Sequence, residues 1–127
     1  MRASLTSKIV TLAVFAVLAL AGTSGCKPQI GDACTLSTDC STLGDRLCDT
    51  SMPGGYCTVF GCESGQCPND SVCVEIHPDS TRFARRFCLA PCGKPSDCRS
   101  GYACVLPSDR DARILDVSPV HDSVCLP

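Results

Sequence analysis

The chain of 127 residues has no tryptophan, two tyrosines, four phenylalanines and two histidines. The 101 residues after Cys26 hold 20 Leu, Ile, Val and Phe. That is close to the level at which chains stop folding on apolar burial alone, so a conventional core is thin. No Cys-x2-Cys pair exists; the nearest are Cys88-x3-Cys92, Cys57-x4-Cys62 and Cys62-x4-Cys67. Thioredoxin-type redox sites need the tighter spacing; structural zinc pairs are usually spaced Cys-x2-4-Cys, and in an exported chain disulfides are the expected use of such cysteines. His77 and His121 do not form a ligand pair, so no metal or cofactor is expected. Gly61-Cys62-Glu63-Ser64-Gly65 has the wrong order for a Gly-x-Ser-x-Gly elbow, and the contiguous His121-Asp122-Ser123 says nothing about a triad. Asp109, Asp111 and Asp116 lack the offsets and closing Glu of a calcium loop. These absences predict a protein that is not an enzyme. There is no basic excess either: after Cys26 the chain carries 9 basic and 13 acidic residues, a formal charge of −4. Nucleic acid is therefore not an expected partner.

What the chain has instead is cysteine, 13 in all. Such density in a short chain reads as a disulfide framework folded in an oxidising compartment. The N-terminus agrees with export. Arg2 and Lys8 precede the apolar run Ile9 to Ala21, which is too short for a span of about 20 residues. Small residues follow, so residues 1–25 read as a signal peptide. Ala19-Leu20-Ala21 fits ordinary cleavage. Thr23-Ser24-Gly25-Cys26 resembles a bacterial lipobox, with Thr23 where an aliphatic residue is usual. That resemblance implies lipid on Cys26 and cleavage just before it. Parity points the same way, because an odd cysteine in an exported chain needs an explanation and lipidation leaves twelve. By the same resemblance, Lys27 in place of the usual Asp retention signal points to the outer membrane. Residues 26–33 are then the attachment cysteine and a short tether.

The other twelve cysteines fall into three sets of four: Cys34, Cys40, Cys48, Cys57; Cys62, Cys67, Cys73, Cys88; and Cys92, Cys98, Cys104, Cys125. The first two gaps stay nearly constant while the third grows, as in a repeated module with one insertion-tolerant loop. Asp39-Cys40 matches Asp97-Cys98, and Gly44 matches Gly101 as a turn residue. The flanks of the third and fourth cysteines are short and β-favouring, with Pro, Gly, Asp and Ser between them. The reading is a small disulfide-rich fold, mostly loops with short antiparallel β-hairpins, in three tandem four-cysteine modules: 34–61, 62–91 and 92–127. Four cysteines allow three pairings. The crossed one, first to third and second to fourth, is favoured because it braces both loop and hairpin. The pattern is similar to extracellular cysteine-rich units of the EGF-like and Dickkopf type, and the layout resembles cysteine-rich bacterial lipoproteins.

Arg82-Phe83-Ala84-Arg85-Arg86-Phe87 is the one concentrated surface feature. It reads either as a hairpin strand or, through Arg82, Arg85 and Arg86, as a partner contact. Strict alternation puts Phe83, Arg85 and Phe87 on one face. The leading expectation is a non-enzymatic envelope lipoprotein, membrane-held through lipid. Its third-gap loops (residues 49–56, 74–87 and 105–124) would present a rigid surface to a protein or glycan partner. The alternative is a freely secreted inhibitor or toxin-like effector.

Overall fold

The computed structural model of the protein describes residues 27–68 and 71–127. Residues 1–25, which read as a signal peptide, together with Cys26, Asn69 and Asp70, lie outside the described residues. The twelve described cysteines form six disulfides: Cys34–Cys48, Cys40–Cys57, Cys62–Cys73, Cys67–Cys88, Cys92–Cys104 and Cys98–Cys125. Each set is crossed, first to third and second to fourth.

The hairpins explain why. Strand β1 (Leu47–Asp49) pairs antiparallel with β2 (Tyr56–Thr58), β3 (Val72–Ile76) with β4 (Arg85–Leu89), and β6 (Ala103–Val105) with β8 (Ser123–Leu126). In each hairpin the third and fourth cysteines are register partners: Cys48 and Cys57, Cys73 and Cys88, Cys104 and Cys125. Residues directly opposite in an antiparallel pair share a face. Both sulfurs therefore point the same way, toward the loop that carries the first and second cysteines.

That loop is braced alike in every set by the residue before the second cysteine. Asp39 Oδ2 accepts from the Thr35 and Leu36 backbone N–H groups at 2.8 and 2.9 Å. Asp97 Oδ2 accepts from Gly93 and Lys94 at 2.9 and 3.1 Å. In the second set Gln66 Oε1 accepts from Glu63 N at 3.0 Å. The backbone donors hold both aspartates below the usual carboxylate range. The braced loops coil into a short helical turn, α1 (Ser37–Cys40), and a 3-10 turn, Pro95–Asp97. Gly44 and Gly101 close the next turns with φ of 78° and 86°, a conformation that favours glycine.

The sets are not beads on a string. Strand β7 (Ala112–Ile114), from the long last gap of the third set, pairs with β3 of the second and makes a sheet of order β4-β3-β7. Strand β5 (Pro91–Cys92) pairs with β8, giving β5-β8-β6. Thr58 Oγ1 donates to the Cys88 carbonyl at 2.7 Å, and Cys88 N donates to the Val59 carbonyl at 3.0 Å, fastening the first set to the second. The buried cluster draws on all three sets: Tyr56, Val74, Leu89 and Val124, with Cys62, Cys73 and Cys88 among them. Disulfide sulfur thus supplies core volume that the sparse aliphatics do not. The first set also has a small buried cluster of its own, Cys34, Cys40 and Cys57.

Of residues 26–33, expected as the attachment cysteine and a short tether, the part from Pro28 on is fixed to the first set. Gly31 N donates to the Cys57 carbonyl and Cys57 N to the Asp32 carbonyl, each at 2.9 Å. The Arg46 guanidinium donates to the Pro28 carbonyl, and Ile30 is buried in the main core.

One buried carboxylate ties the middle sheet together. Glu75 on β3 has Arg86 of β4 and Arg113 of β7 as its register partners on either side. Arg86 Nε lies 2.9 Å from Oε1 and Arg113 Nη2 lies 2.6 Å from Oε2. Arg86 first, then Arg113, hold this carboxyl below its ordinary value. A lowered folded value means stability that is present above the unfolded value of about 4.3 and lost as pH falls through the folded one. Glu75→Gln should therefore melt earlier than wild type at neutral pH, and the two should converge in acid. Thermal melts from about pH 7 down to about pH 2 read this directly, because they follow the linkage. A constant gap across that range would show that the ion pairs are not responsible.

Candidate functional groove

All three phenylalanines after Cys26 line one groove, of about 690 Å³. That volume is within the range of small-molecule and peptide-side-chain sites. Its apolar surface comes from Met52 in the turn of the first hairpin, Phe60 in the joint between sets, and Ile76 and Phe87 of the second hairpin. Phe60 and Phe87 form an isolated antiparallel bridge, which fixes the joint against β4. Phe87 is buried, whereas Phe60 and Phe83 are 48% and 62% exposed. An aromatic side chain left this open beside two others is unusual in a chain with so few.

The rim is charged with both signs. Asp49, Asp79 and Asp111 stand on it with Arg85 and His77. Asp49 Oδ1 accepts from Ser51 N at 3.0 Å. Asp79 and Arg85 have no ion-pair partner among the described residues. His77 and Asp111 face each other where β3 ends and β7 begins. Nδ1 and Oδ2 lie 2.6 Å apart, and His77 N donates to the Asp111 carbonyl at 2.7 Å. Both residues have left-handed backbones, φ 52° and 50°. That conformation is rare outside glycine and persists where the surroundings hold it. Ser80, also on the lining, has its Oγ 3.2 Å from the Phe83 N–H, which donates to it. The pair therefore forms a rigid polar corner of the groove.

The arginine-aromatic segment is divided by its geometry. Phe83 is in the turn before β4, and the strand begins at Arg85. Arg85 and Phe87 share a face, as alternation requires, but Arg85 stands at the strand end, where it is exposed on the rim. Arg86 points the other way, to Glu75 and to Glu63 Oε1 at 2.7 Å. Its charge is engaged in the fold. Arg82 is exposed beside the groove without lining it.

The acidic residues considered for calcium do not converge. Asp111 is held by His77, while Asp116 accepts from Gly65 N and Cys73 N, each at 2.6 Å. The sulfurs of Cys34, Cys40 and Cys48 lie within 4.8 Å of one another, as do those of Cys62, Cys67 and Cys88 and of Cys92, Cys98 and Cys104. Every one is in a disulfide and is not available as a metal ligand. Of the third-gap loops, residues 49–56 and 74–87 supply most of the groove. The middle of 105–124 is strand β7, and Asp111 is its contribution.

Phe60, His77 and Asp111 were not signalled by any motif. His77 and Asp111 meet because β7 returns to β3, a pairing between residues far apart in the chain, and Phe60 joins them through its bridge to Phe87. No known protein family matches the chain, and neither does any curated protein or solved structure.

Proposed function

We propose that the protein is a non-enzymatic lipoprotein of the bacterial envelope, held by lipid on Cys26, whose aromatic groove binds a segment of a partner protein. The observation that carries the binding reading is the gathering of Phe60, Phe83 and Phe87 at one groove of a disulfide-fixed frame. Exposed aromatic anchors with a charged rim are the surface that concentrates binding energy in protein complexes. A preorganised frame lowers the ordering cost of association. Asp49 and Asp79 on the rim with Arg85 favour a segment carrying both signs around an apolar residue, rather than a uniformly anionic glycan or headgroup. The anchor reading is supported by pairing: all twelve cysteines after Cys26 are used in disulfides, so Cys26 is the one left over for lipid.

The probe is a random peptide library displayed on phage and selected on the oxidised domain. Enriched peptides should share an apolar residue flanked by a basic and an acidic one. Phe83→Ser should weaken them by about 30-fold or more, the size of a hot-spot loss. Arg85→Glu should reduce binding while Arg86 is left in its ion pairs. No shared motif, or peptides indifferent to Phe83→Ser, would reject the groove as the binding surface.

A further inference from the structure

We infer that the first set lies directly on the membrane, with Leu43 entering the lipid interface beside the anchor. The inference rests on the lipid anchor proposed above. Only Lys27 separates Cys26 from Pro28, whose carbonyl is already bonded to Arg46. From there the chain is fastened through Ile30, Gly31 and Asp32. Two residue steps reach at most about 7 Å. The headgroup layer of one leaflet is about 5–8 Å deep. The free length therefore does no more than cross the headgroups, and the face carrying Pro28 must rest on them.

That face is suited to it. Lys27, Pro28 and Leu43 line one hollow of about 180 Å³ together with Thr38, Ser41 and Asp45. Leu43 is 91% exposed, among the most open large apolar side chains described. Left in water it contributes nothing to the fold, whereas an interface buries it. Lys27 is placed to meet anionic headgroups. Asp45, the acid on the same rim, is occupied by the Ser41 hydroxyl, which donates to it, and lies near Lys27. The hollow shares no lining residue with the aromatic groove.

Because the chain has no tryptophan, one introduced Trp reports its own depth. Leu43→Trp and Phe83→Trp would each be purified with their native N-terminus from host membranes. They would be placed in phosphatidylethanolamine–phosphatidylglycerol vesicles with brominated acyl chains. Intact mass first establishes the lipid on Cys26. With lipid present, emission from position 43 should shift to the blue and be quenched at least about twofold more than from position 83. Equal or weaker quenching at 43 in the lipidated protein would overturn the membrane-seated face and leave the anchor standing. A mass without lipid would overturn the anchor, and this inference with it.

Discussion

Replacing Cys40 and Cys57 together by Ala is expected to lower stability by about 5 kcal/mol, and replacing Cys34 and Cys48 by about 4 kcal/mol. Loop closure does not create the difference. The two links span 14 and 17 residues, and closing either loop stabilises by about 3 kcal/mol in the chain-entropy treatment. Burial does. Cys40 and Cys57 are 2% and 0% exposed, while Cys48 is only partly buried. Each buried sulfur removed takes about 1 kcal/mol of transfer and packing with it. The cluster that belongs to the first set alone consists of cysteines, so no aliphatic side chain there closes the gap. Cys57 also carries the two backbone bonds to Gly31 and Asp32. Loosening it should release residues 28–33 and expose the Gly31 and Cys57 amides to hydrogen exchange. Guanidinium midpoints of the two paired variants measure the order. Equal losses would mean that sulfur burial adds nothing beyond loop closure.

The same contrast marks what was legible in the sequence. The three sets and the short hairpins are legible in local spacing; the crossed pairing is one of three that spacing allows, favoured for its bracing of loop and hairpin, and the structure has it. Asp39 and Asp97 were visible as a repeated Asp-Cys. Gln66, which takes their place in the second set, was hidden by a first gap one residue shorter and a different side chain. In the sequence, strand β7 looks like loop, because Ala112-Arg113-Ile114 is too short to show a period of two. It becomes a strand only because β3 offers it an edge. Glu75 and Arg86 could not be matched before the register of β3 and β4 was known. The groove has the same origin, since Phe60, His77 and Asp111 arrive from three separate stretches. The core looked thin when aliphatics alone were counted. It closes because disulfide sulfur fills it and the sets share it.

Tyr56 tests that sharing. It is 1% exposed, and its hydroxyl accepts from Ala90 N, between the second and third sets, at 2.9 Å. Its ring lies 5.6 Å from that of Tyr102 in the third set, and the Arg99 guanidinium stands 4.4 Å from the Tyr102 ring. One side chain of the first set thus reaches the other two. Tyr56→Ala should cost about 4 kcal/mol, the loss of a large buried ring with a cavity left behind. Tyr56→Phe keeps the ring and strands the Ala90 donor, at a cost of about 1–2 kcal/mol. The hydroxyl adds an alkaline signature. Burial pushes its pKa up to about 12. A raised folded value gives stability that is complete below the unfolded value of about 10 and is lost as pH rises through the folded one. Wild type should therefore weaken between those values, and Tyr56→Phe should lose that part of the alkaline limb. Denaturant midpoints at neutral and alkaline pH separate the two contributions. If Tyr56→Phe costs as much as Tyr56→Ala, the bond to Ala90 rather than the ring joins the sets. If both cost little, the three sets are held by their disulfides and strand pairing, and the shared core is secondary.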